Sequence, residues 1–284
     1  IILSTILLFL FSYKSYFKKS KYILYLGFFT FILASVNHLI FFLLVSILIS
    51  YFLFKPKIFS GSNKLVKILL GFISSFLMVI FIKLLLNANF AQLGNTAGYL
   101  LENRYPKTKV LYTFYKNNDT ISKIIGIGPG QGISRASFIS SGKYFGSATG
   151  QNNPIPFSKP SEFFNKYVDE MWQTSLKSNV GSSTSSQIQS SWGAILTELG
   201  LLTFFIIIVF IVFLTIKIKR SINTELDRNL AFGFSSILFY LLFMGVQQNY
   251  WEVSQAIFIP IILLKIIYSI LINNNRLVWK NNEQ

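Results

Sequence analysis

Long apolar runs are the feature that most constrains the fold of this chain. A helix needs about 20 mainly apolar residues to span the hydrocarbon core of a bilayer, and several runs reach that length. Only 13% of the residues are charged, whereas soluble domains contain roughly a quarter. The sequence therefore predicts an all-α polytopic membrane protein with about seven transmembrane helices. The predicted spans are 1–12, 22–36, 39–54, 68–86, 193–216, 230–246 and 256–272.

The distribution of Lys and Arg orients these predicted spans, because cytoplasmic connections carry an excess of both residues. The connections 37–38 and 247–255 contain neither residue, so they are predicted to lie outside the cytoplasm. Ile1 already lies inside an apolar run, and we therefore expect further spans before it. The basic residues concentrate in the connections 13–22, 55–67 and 217–228 and in the tail 273–284, all predicted to be cytoplasmic.

The alternation of sides places a long, mostly polar stretch, 87–192, outside the cytoplasm. This stretch separates an N-terminal transmembrane block, 1–86, from a C-terminal block, 193–272, which the tail follows. We expect it to form one large extracytoplasmic loop that contains short helices. A loop of this length is largely exempt from the charge rule, so its own Lys and Arg residues do not contradict the placement.

Composition excludes several kinds of site. The chain has no cysteine and a single histidine, His38, which rules out disulfides, thiolate nucleophiles and metal sites rich in sulfur or histidine. The formal net charge of +16 would suit a nucleic-acid partner, but most of the excess lies in short connections beside apolar runs. We expect no metal, no cofactor and no nucleic acid.

Residues 161–178 of the predicted loop have the apolar spacing of an amphipathic helix. Pro160 precedes this segment, and Ser161 is placed to cap it. The helix either packs on a small core of the loop itself or lies on the outer membrane surface beside a lipid substrate. The apolar positions are Phe164, Tyr167, Val168, Met171, Trp172 and Leu176.

A glycine-rich run, 126–132, occupies the middle of the predicted loop and reads GIGPGQG. It is not a dinucleotide fingerprint, because Gln131 stands where the third glycine is required, and no Gly-Lys-Ser/Thr follows to make a P-loop. One interpretation is a tight turn that needs glycine backbone angles. The other is a bare backbone surface that a phosphate or a sugar can approach.

Arg104 and Arg135 flank the glycine run and are the only arginines of 87–192. The planar guanidinium fork suits bidentate binding of phosphate, which a lysine ammonium cannot provide. Each arginine taken alone is also compatible with a solvated or purely structural role. The pair therefore indicates, without requiring, a phosphate-containing ligand.

Two segments of the predicted loop together carry a family resemblance. Arg104 followed by 124–130, IIGIGPG, resembles the arginine and glycine motif that opens the extracytoplasmic loop of the O-antigen ligase and O-antigen polymerase family. The segment 190–202, SSWGAILTELGLL, resembles the one that closes that loop. Ile124 stands where the family has a proline, and Gln189 stands where the ligases carry a histidine. The second departure favours the polymerases.

The resemblance implies a glycosyltransferase in the bacterial inner (cytoplasmic) membrane. Such a polymerase of O-antigen, capsule or exopolysaccharide moves a glycan from undecaprenyl pyrophosphate to another lipid-linked repeat unit at the outer face. The partners that follow are this lipid-linked oligosaccharide, membrane lipid, a flippase and a chain-length regulator. Three alternatives stay open. One is ligase-type transfer to lipid A-core or protein, and another, in a different class, is a transporter or flippase of lipid-linked oligosaccharides. The third is a non-catalytic membrane scaffold.

The resemblance also suggests roles for individual residues. Arg104 and Arg135 would bind the pyrophosphate, and Glu198 is the third residue predicted to be catalytic. A carboxylate at the membrane boundary is costly unless it is paired, so Glu198 is expected to be either functional or paired with an arginine. The general base is left open, with Asp169, Glu170 and His38 as candidates. The residues predicted to bind substrate are Gly128, Gly130, Gln189 and Trp192.

Overall fold

The computed structural model describes residues 2–12, 27, 37–56, 109–141, 160–170, 190–247 and 250–282. All regular structure within these ranges is helical, and no strand occurs in them. The all-α class predicted from the sequence is therefore confirmed for the described part. The predicted spans 22–36 and 68–86 lie outside it, apart from Gly27, as do Arg104 and Gln189.

Ten α-helices, two π-helical turns and one 3-10 turn occur in the described residues, and loops connect them. The two π turns are Phe164–Val168, inside α6, and Ile195–Leu199, between α7 and α8. The 3-10 turn is Tyr250–Glu252. The helices are α1 (Ile2–Ser12), α2 (Asn37–Phe54), α3 (109–117), α4 (Thr120–Ile125), α5 (Arg135–Ser140), α6 (162–170), α7 (Ser191–Ala194), α8 (Gly200–Arg220), α9 (Glu225–Gln247) and α10 (Ser254–Asn282).

Three helical segments in the described ranges are long and apolar enough to cross a membrane, which identifies a membrane protein. They are Ser191–Arg220, Glu225–Val246 and Ala256–Asn273, and they contain the last three spans predicted from the sequence. A shorter apolar helix covers Leu39–Phe54. The count of seven spans stays a prediction. Helix α10 continues to Asn282, through the residues predicted to form a tail.

The chain divides into two compact units, and the first comprises 1–89, 212–244 and 254–284. Its inner helix is α9: 72% of the apolar stretch of α9 is buried, against 17% of the stretch in α10. Ser50 of α2 donates a hydrogen bond to Ser235 of α9 at 3.0 Å. Phe42 stacks on Phe243 with ring centroids 5.9 Å apart. Helix α1 packs against α10.

The second unit, 90–211 with 245–253, has a hydrophobic core of its own. Phe114 meets Phe163 edge to face at 5.3 Å, and Phe138 meets Phe164 at 5.1 Å. These pairs draw α3, α5 and α6 together, and each buried aromatic contributes about 1.5–3 kcal/mol. The buried members of this core are Val110, Phe114, Ile133, Phe138, Phe163, Phe164 and Val168.

The hydrophobic core distinguishes the two interpretations of the predicted amphipathic helix over its described residues, 162–170. Phe164 and Val168 are fully buried in the core, so this part packs on the unit itself. The Oγ of Ser161 accepts a hydrogen bond from the amide of Phe164 at 2.9 Å, which confirms the predicted cap. Residues 171–178 of the predicted helix lie outside the described residues.

Candidate functional site

The candidate site is in the second unit, where the glycine-rich run meets the start of the long helical segment. Ser190 caps α7 by accepting a hydrogen bond from the amide of Gly193 at 3.0 Å. After the π turn, Gly200 has φ +77 and ψ 178, which interrupts the helical ladder before α8. The carbonyl oxygens of Thr197 and Glu198 instead accept hydrogen bonds from the loop. The donors are the amides of Ile127, at 3.0 Å, and Gly128, at 3.1 Å.

Two glycines allow the backbones of the loop and the helix to approach this closely. Gly126 has φ +82, and a Cβ there would strike the carbonyl of Glu198. A Cβ on Gly200 would strike the carbonyl of Ile124. Both positions combine a backbone conformation that L side chains rarely adopt with a space that only hydrogen fits. The tight-turn interpretation of the glycine run is therefore correct for Gly126.

The carboxylate of Glu198 is the centre around which the loop closes. Its Oε2 accepts a hydrogen bond from the amide of Gly130 at 2.6 Å. Its Oε1 accepts two more, from the amides of Gly132 at 3.0 Å and Ser134 at 2.9 Å. The side chain is only 5% exposed, and a buried carboxylate is tolerated when hydrogen bonds satisfy it in this way. Converging backbone amides form an anion-binding nest, and here Glu198 supplies the anion.

Arg135 follows directly after this nest. It is the half-buried first residue of α5, whose cap, Ser134, accepts a hydrogen bond from the amide of Ser137 at 3.1 Å. The next amide, that of Ala136, donates to Oε2 of Glu252 at 3.3 Å. Arg135 therefore lies between Ser134, whose amide binds the carboxylate of Glu198, and Ala136, whose amide binds the carboxylate of Glu252. This position fixes the backbone of the arginine from both sides.

Trp192 is held by aromatic packing beside the same region. Its ring meets Trp251 at 4.8 Å and Phe204 at 5.2 Å, both with steeply inclined planes. The amide of Trp251 donates to Oγ of Ser191 at 3.1 Å, which fastens the 3-10 turn to α7. A Cβ on Gly245 would lie 2.7 Å from the Trp251 ring, so the turn packs tightly against Gly245, which belongs to the same unit. The predicted substrate contact of Trp192 stays a prediction.

Two further side chains brace the site. The hydroxyl of Tyr115 donates to the carbonyl of Leu196, inside the π turn, at 3.2 Å. Burial raises the pKa of this hydroxyl above its usual value. The hydroxyl of Ser161 donates to the carbonyl of Gln131 at 2.5 Å, so the cap of α6 also anchors the glycine run. Together they connect the hydrophobic core to both sides of the nest.

The predicted site residues are brought together in part. Glu198, Gly128 and Gly130 are joined by hydrogen bonds, and Arg135 directly follows Ser134, whose amide also donates to Glu198. Asp169 and Glu170 lie on α6, where Asp169 is half-buried and Glu170 is exposed, and His38 lies in α2 of the first unit. Arg104 and Gln189 lie outside the described residues.

Reasoning from the sequence missed Glu252 and Tyr115. Glu252 falls in the short connection 247–255, for which only the lack of Lys and Arg entered the prediction. An acidic residue beside a tryptophan in an otherwise uncharged turn is the sequence signal that could have identified it. Tyr115 had no such signal, because its partner is a carbonyl oxygen 81 positions away.

Among the described residues, no group of three or more His, Cys, Asp or Glu side chains is placed to hold a metal ion. No family model matches the chain, and neither a curated protein nor a solved structure matches it.

Proposed function

We propose that this chain is a membrane glycosyltransferase that polymerises a surface polysaccharide. The donor is a glycan on undecaprenyl pyrophosphate, and the acceptor is a hydroxyl of a second lipid-linked repeat unit. In this proposal the protein lies in the bacterial inner membrane, and residues 87–192 face away from the cytoplasm. The observation that supports it best is the nest closed by Glu198, which holds Arg135 in a fixed place.

The nest supports transfer because it sets the shape of the loop before any ligand arrives. Three amides of the loop are committed to Glu198, so the backbone that leads to Arg135 needs no reorganisation on binding. Preorganised charge stabilises a transition state more effectively than charge that must first be positioned. In this proposal Glu198 is a positioning residue, and Arg135 contacts the pyrophosphate. Arg104 is kept as a second cation.

The chemistry requires a cation where negative charge develops. The acceptor oxygen attacks the anomeric carbon, the bond from that carbon to the phosphate oxygen breaks, and polyprenyl pyrophosphate leaves with the electron pair. A guanidinium fork that meets the leaving diphosphate stabilises this charge more than it stabilises the bound donor. The proton of the attacking hydroxyl needs an acceptor, and we assign this role to the exposed carboxylate of Glu252. This carboxylate accepts a hydrogen bond from the amide of Ala136, the residue that follows Arg135.

One observation favours a second candidate, a transporter of lipid-linked oligosaccharides. Asn229 and Ser236 lie seven residues apart on one face of α9 and are both buried. Within the described part of the chain, Oδ1 of Asn229 and Oγ of Ser236 have no hydrogen-bond partner. Buried polar groups in a membrane-crossing helix are typical of transport pathways. Ligase-type transfer to lipid A-core or protein differs from polymerisation only in the acceptor.

Reconstitution distinguishes these candidates. The purified full chain is placed in liposomes together with a polyprenyl-pyrophosphate-linked oligosaccharide. A polymerase releases polyprenyl pyrophosphate and lengthens the glycan in equal amounts. A transporter moves the intact lipid across the bilayer without releasing pyrophosphate, and a ligase releases it only when a different acceptor is added. Transbilayer movement without cleavage would refute the proposal.

The orientation of the second unit can be tested separately, since the chain contains no cysteine. A single cysteine is introduced at the exposed Thr120, and a matched one at the exposed Asn223. A membrane-impermeant maleimide applied to intact cells should label Thr120→Cys and spare Asn223→Cys. The reverse pattern contradicts the proposed orientation.

A further inference from the structure

The first unit contains a cleft of about 490 Å³ that the proposed function does not use. It is lined by the end of α2, the end of α8 and the start of α9. Three of its lining residues are basic, and none is acidic, so the lining carries three formal positive charges. The lining residues are Phe52, Leu53, Phe54, Lys55, Lys219, Ile222 and Arg228.

The backbone places each cation at the end of a helix. The amide of Lys55 donates to the carbonyl of Tyr51 at 2.8 Å, and φ of Lys55 is +42, so the chain leaves α2 in a left-handed turn. Lys219 lies in the last turn of α8. Arg228 lies in the first turns of α9, where its amide donates to the carbonyl of Thr224 at 3.1 Å.

The acidic residue next to Arg228 is engaged elsewhere. Oδ2 of Asp227 accepts hydrogen bonds from the amides of Thr224 at 3.0 Å and Asn223 at 3.3 Å. In return, Oγ1 of Thr224 accepts one from the amide of Asp227 at 3.1 Å, which completes a reciprocal helix cap. Asp227 is buried in this cap and does not line the cleft.

The surroundings of the cleft identify the kind of anion that fits. Phe52, in the lining, is 69% exposed. On α8, Ile216 and Val212 precede Lys219 by three and seven residues, so they lie on the same helix face, and both are exposed. This apolar strip extends about 10 Å along the helix from the cationic lining. A small free anion would not contact such an apolar strip, whereas the acyl chain of a lipid can pack along it.

We infer that this cleft binds the phosphate headgroup of an anionic glycerophospholipid. Lys55, Lys219 and Arg228 neutralise the headgroup, and the exposed apolar residues of α2 and α8 contact the glycerol and the upper acyl chain. Basic pockets between membrane helices are suited to such headgroups because the charges lie at headgroup depth. This inference is independent of the proposed glycosyl transfer.

The chain offers a matched control in Lys217. Its ammonium lies 5.4 Å from the centre of the Tyr268 ring and does not line the cleft. Lys217 belongs to the same helix turn as Lys219 but points to a different face, since two residues rotate a helix by about 200°. Lys217→Gln therefore removes one charge from the same region without touching the cleft.

The test measures lipid binding to the full chain, purified and delipidated in detergent, by native mass spectrometry. Phosphatidylglycerol and phosphatidylcholine are titrated against the wild type, Lys217→Gln and the triple variant Lys55→Gln/Lys219→Gln/Arg228→Gln. We expect the wild type and Lys217→Gln to prefer phosphatidylglycerol. The triple variant should lose about tenfold or more in affinity for it, because charge-assisted contacts to phosphate are lost.

Single variants guard against a triple variant that does not fold. Lys219→Gln and Arg228→Gln should each weaken phosphatidylglycerol binding about threefold, at unchanged melting temperature. Equal binding of the two lipids by the wild type overturns the inference. So does unchanged affinity in the cleft variants. Displacement of bound lipid by inorganic phosphate at equal concentration shows a simple anion pocket, and it also overturns the assignment to lipid.

Discussion

The amide of Gly130 donates a hydrogen bond to Oε2 of Glu198 at 2.6 Å, across 68 positions of the chain. This bond and its two companions from Gly132 and Ser134 join the middle of the glycine run to the segment that leads into α8. The nest that could receive an external anion is occupied by an internal one. The glycine run is consequently a fixed support for Arg135.

Replacing Glu198 by glutamine should loosen the glycine run. Glutamine keeps one acceptor oxygen but directs an NH₂ group at an amide that also donates, so at least one buried donor is left unsatisfied. The expected cost is about 3 kcal/mol in the second unit. Hydrogen–deuterium exchange should show faster exchange across 126–134. The exposed Glu162, replaced in the same way, is the control and should leave exchange unchanged. Identical exchange in both variants contradicts the support role.

Alanine substitutions at two glycines of the run distinguish the cost of backbone strain from the cost of a steric clash. Gly126 and Gly128 both have positive φ, +82 and +101, so alanine is strained at either position. At Gly126 the new Cβ also strikes Glu198, whereas at Gly128 the nearest atom is 3.8 Å away, on Gln131. Gly128→Ala should cost about 1–2 kcal/mol, and Gly126→Ala at least about 1 kcal/mol more. Chemical unfolding followed by exchange at 126–134 measures both. Equal costs would show that the close approach to Glu198 is absent.

Truncating Phe164 tests whether α6 belongs to the core of the second unit. Its side chain is fully buried and meets Phe138 at 5.1 Å, so Phe164→Ala should cost about 3–5 kcal/mol. In Phe164→Ala we expect faster hydrogen exchange over 109–141. The exposed Asn165, replaced by alanine, is the neighbouring control. If Phe164→Ala instead left exchange unchanged and weakened binding to lipid vesicles, α6 would be a membrane-surface helix.

Ionisation of Tyr115 should lower the stability of the second unit at alkaline pH. Burial raises the pKa of its hydroxyl in the folded state, so the neutral form is favoured there. The stabilisation is complete below the unfolded pKa of about 10 and is lost as the pH rises through the higher folded pKa. Between pH 8 and 11, the melting temperature should fall less steeply with pH for Tyr115→Phe than for the wild type. Tyr112 is 65% exposed, and Tyr112→Phe should follow the wild type. Parallel curves for all three proteins contradict the assignment.

Local patterns explain what the sequence predicted well. Hydropathy is a property of neighbouring residues, so the run 193–216 was sufficient to predict the segment that the structure shows as Ser191–Arg220. The cap at Ser161 depends only on residues three positions apart, and it was predicted correctly. Helix α9 begins at Glu225, five residues before the predicted span 230–246, and hydropathy did not include these residues because the first turn is polar and charged.

The site was harder to predict because its contacts are distant in sequence. Glu198 was expected to pair with an arginine or to be functional, and the structure gives it three backbone amides. Backbone amides have no sequence signature, and neither have the two π turns. The contact of Glu252 with Ala136 joins residues 116 positions apart, so no local pattern indicated it.

In the proposed reaction, the guanidinium of Arg135 stabilises a departing diphosphate. The most direct measurement is the rate of polyprenyl pyrophosphate release in the liposome assay, compared between wild type, Arg135→Lys, Arg135→Gln and a control. Lys166, whose ammonium lies 5.4 Å from the Tyr167 ring centre, supplies the control variant Lys166→Gln, which also removes one positive charge from the second unit. Loss of the fork should lower the rate about tenfold in Arg135→Lys and about a hundredfold in Arg135→Gln, with Lys166→Gln unchanged. Wild-type rates from both Arg135 variants, at equal amounts of folded protein, would contradict the assigned role of Arg135.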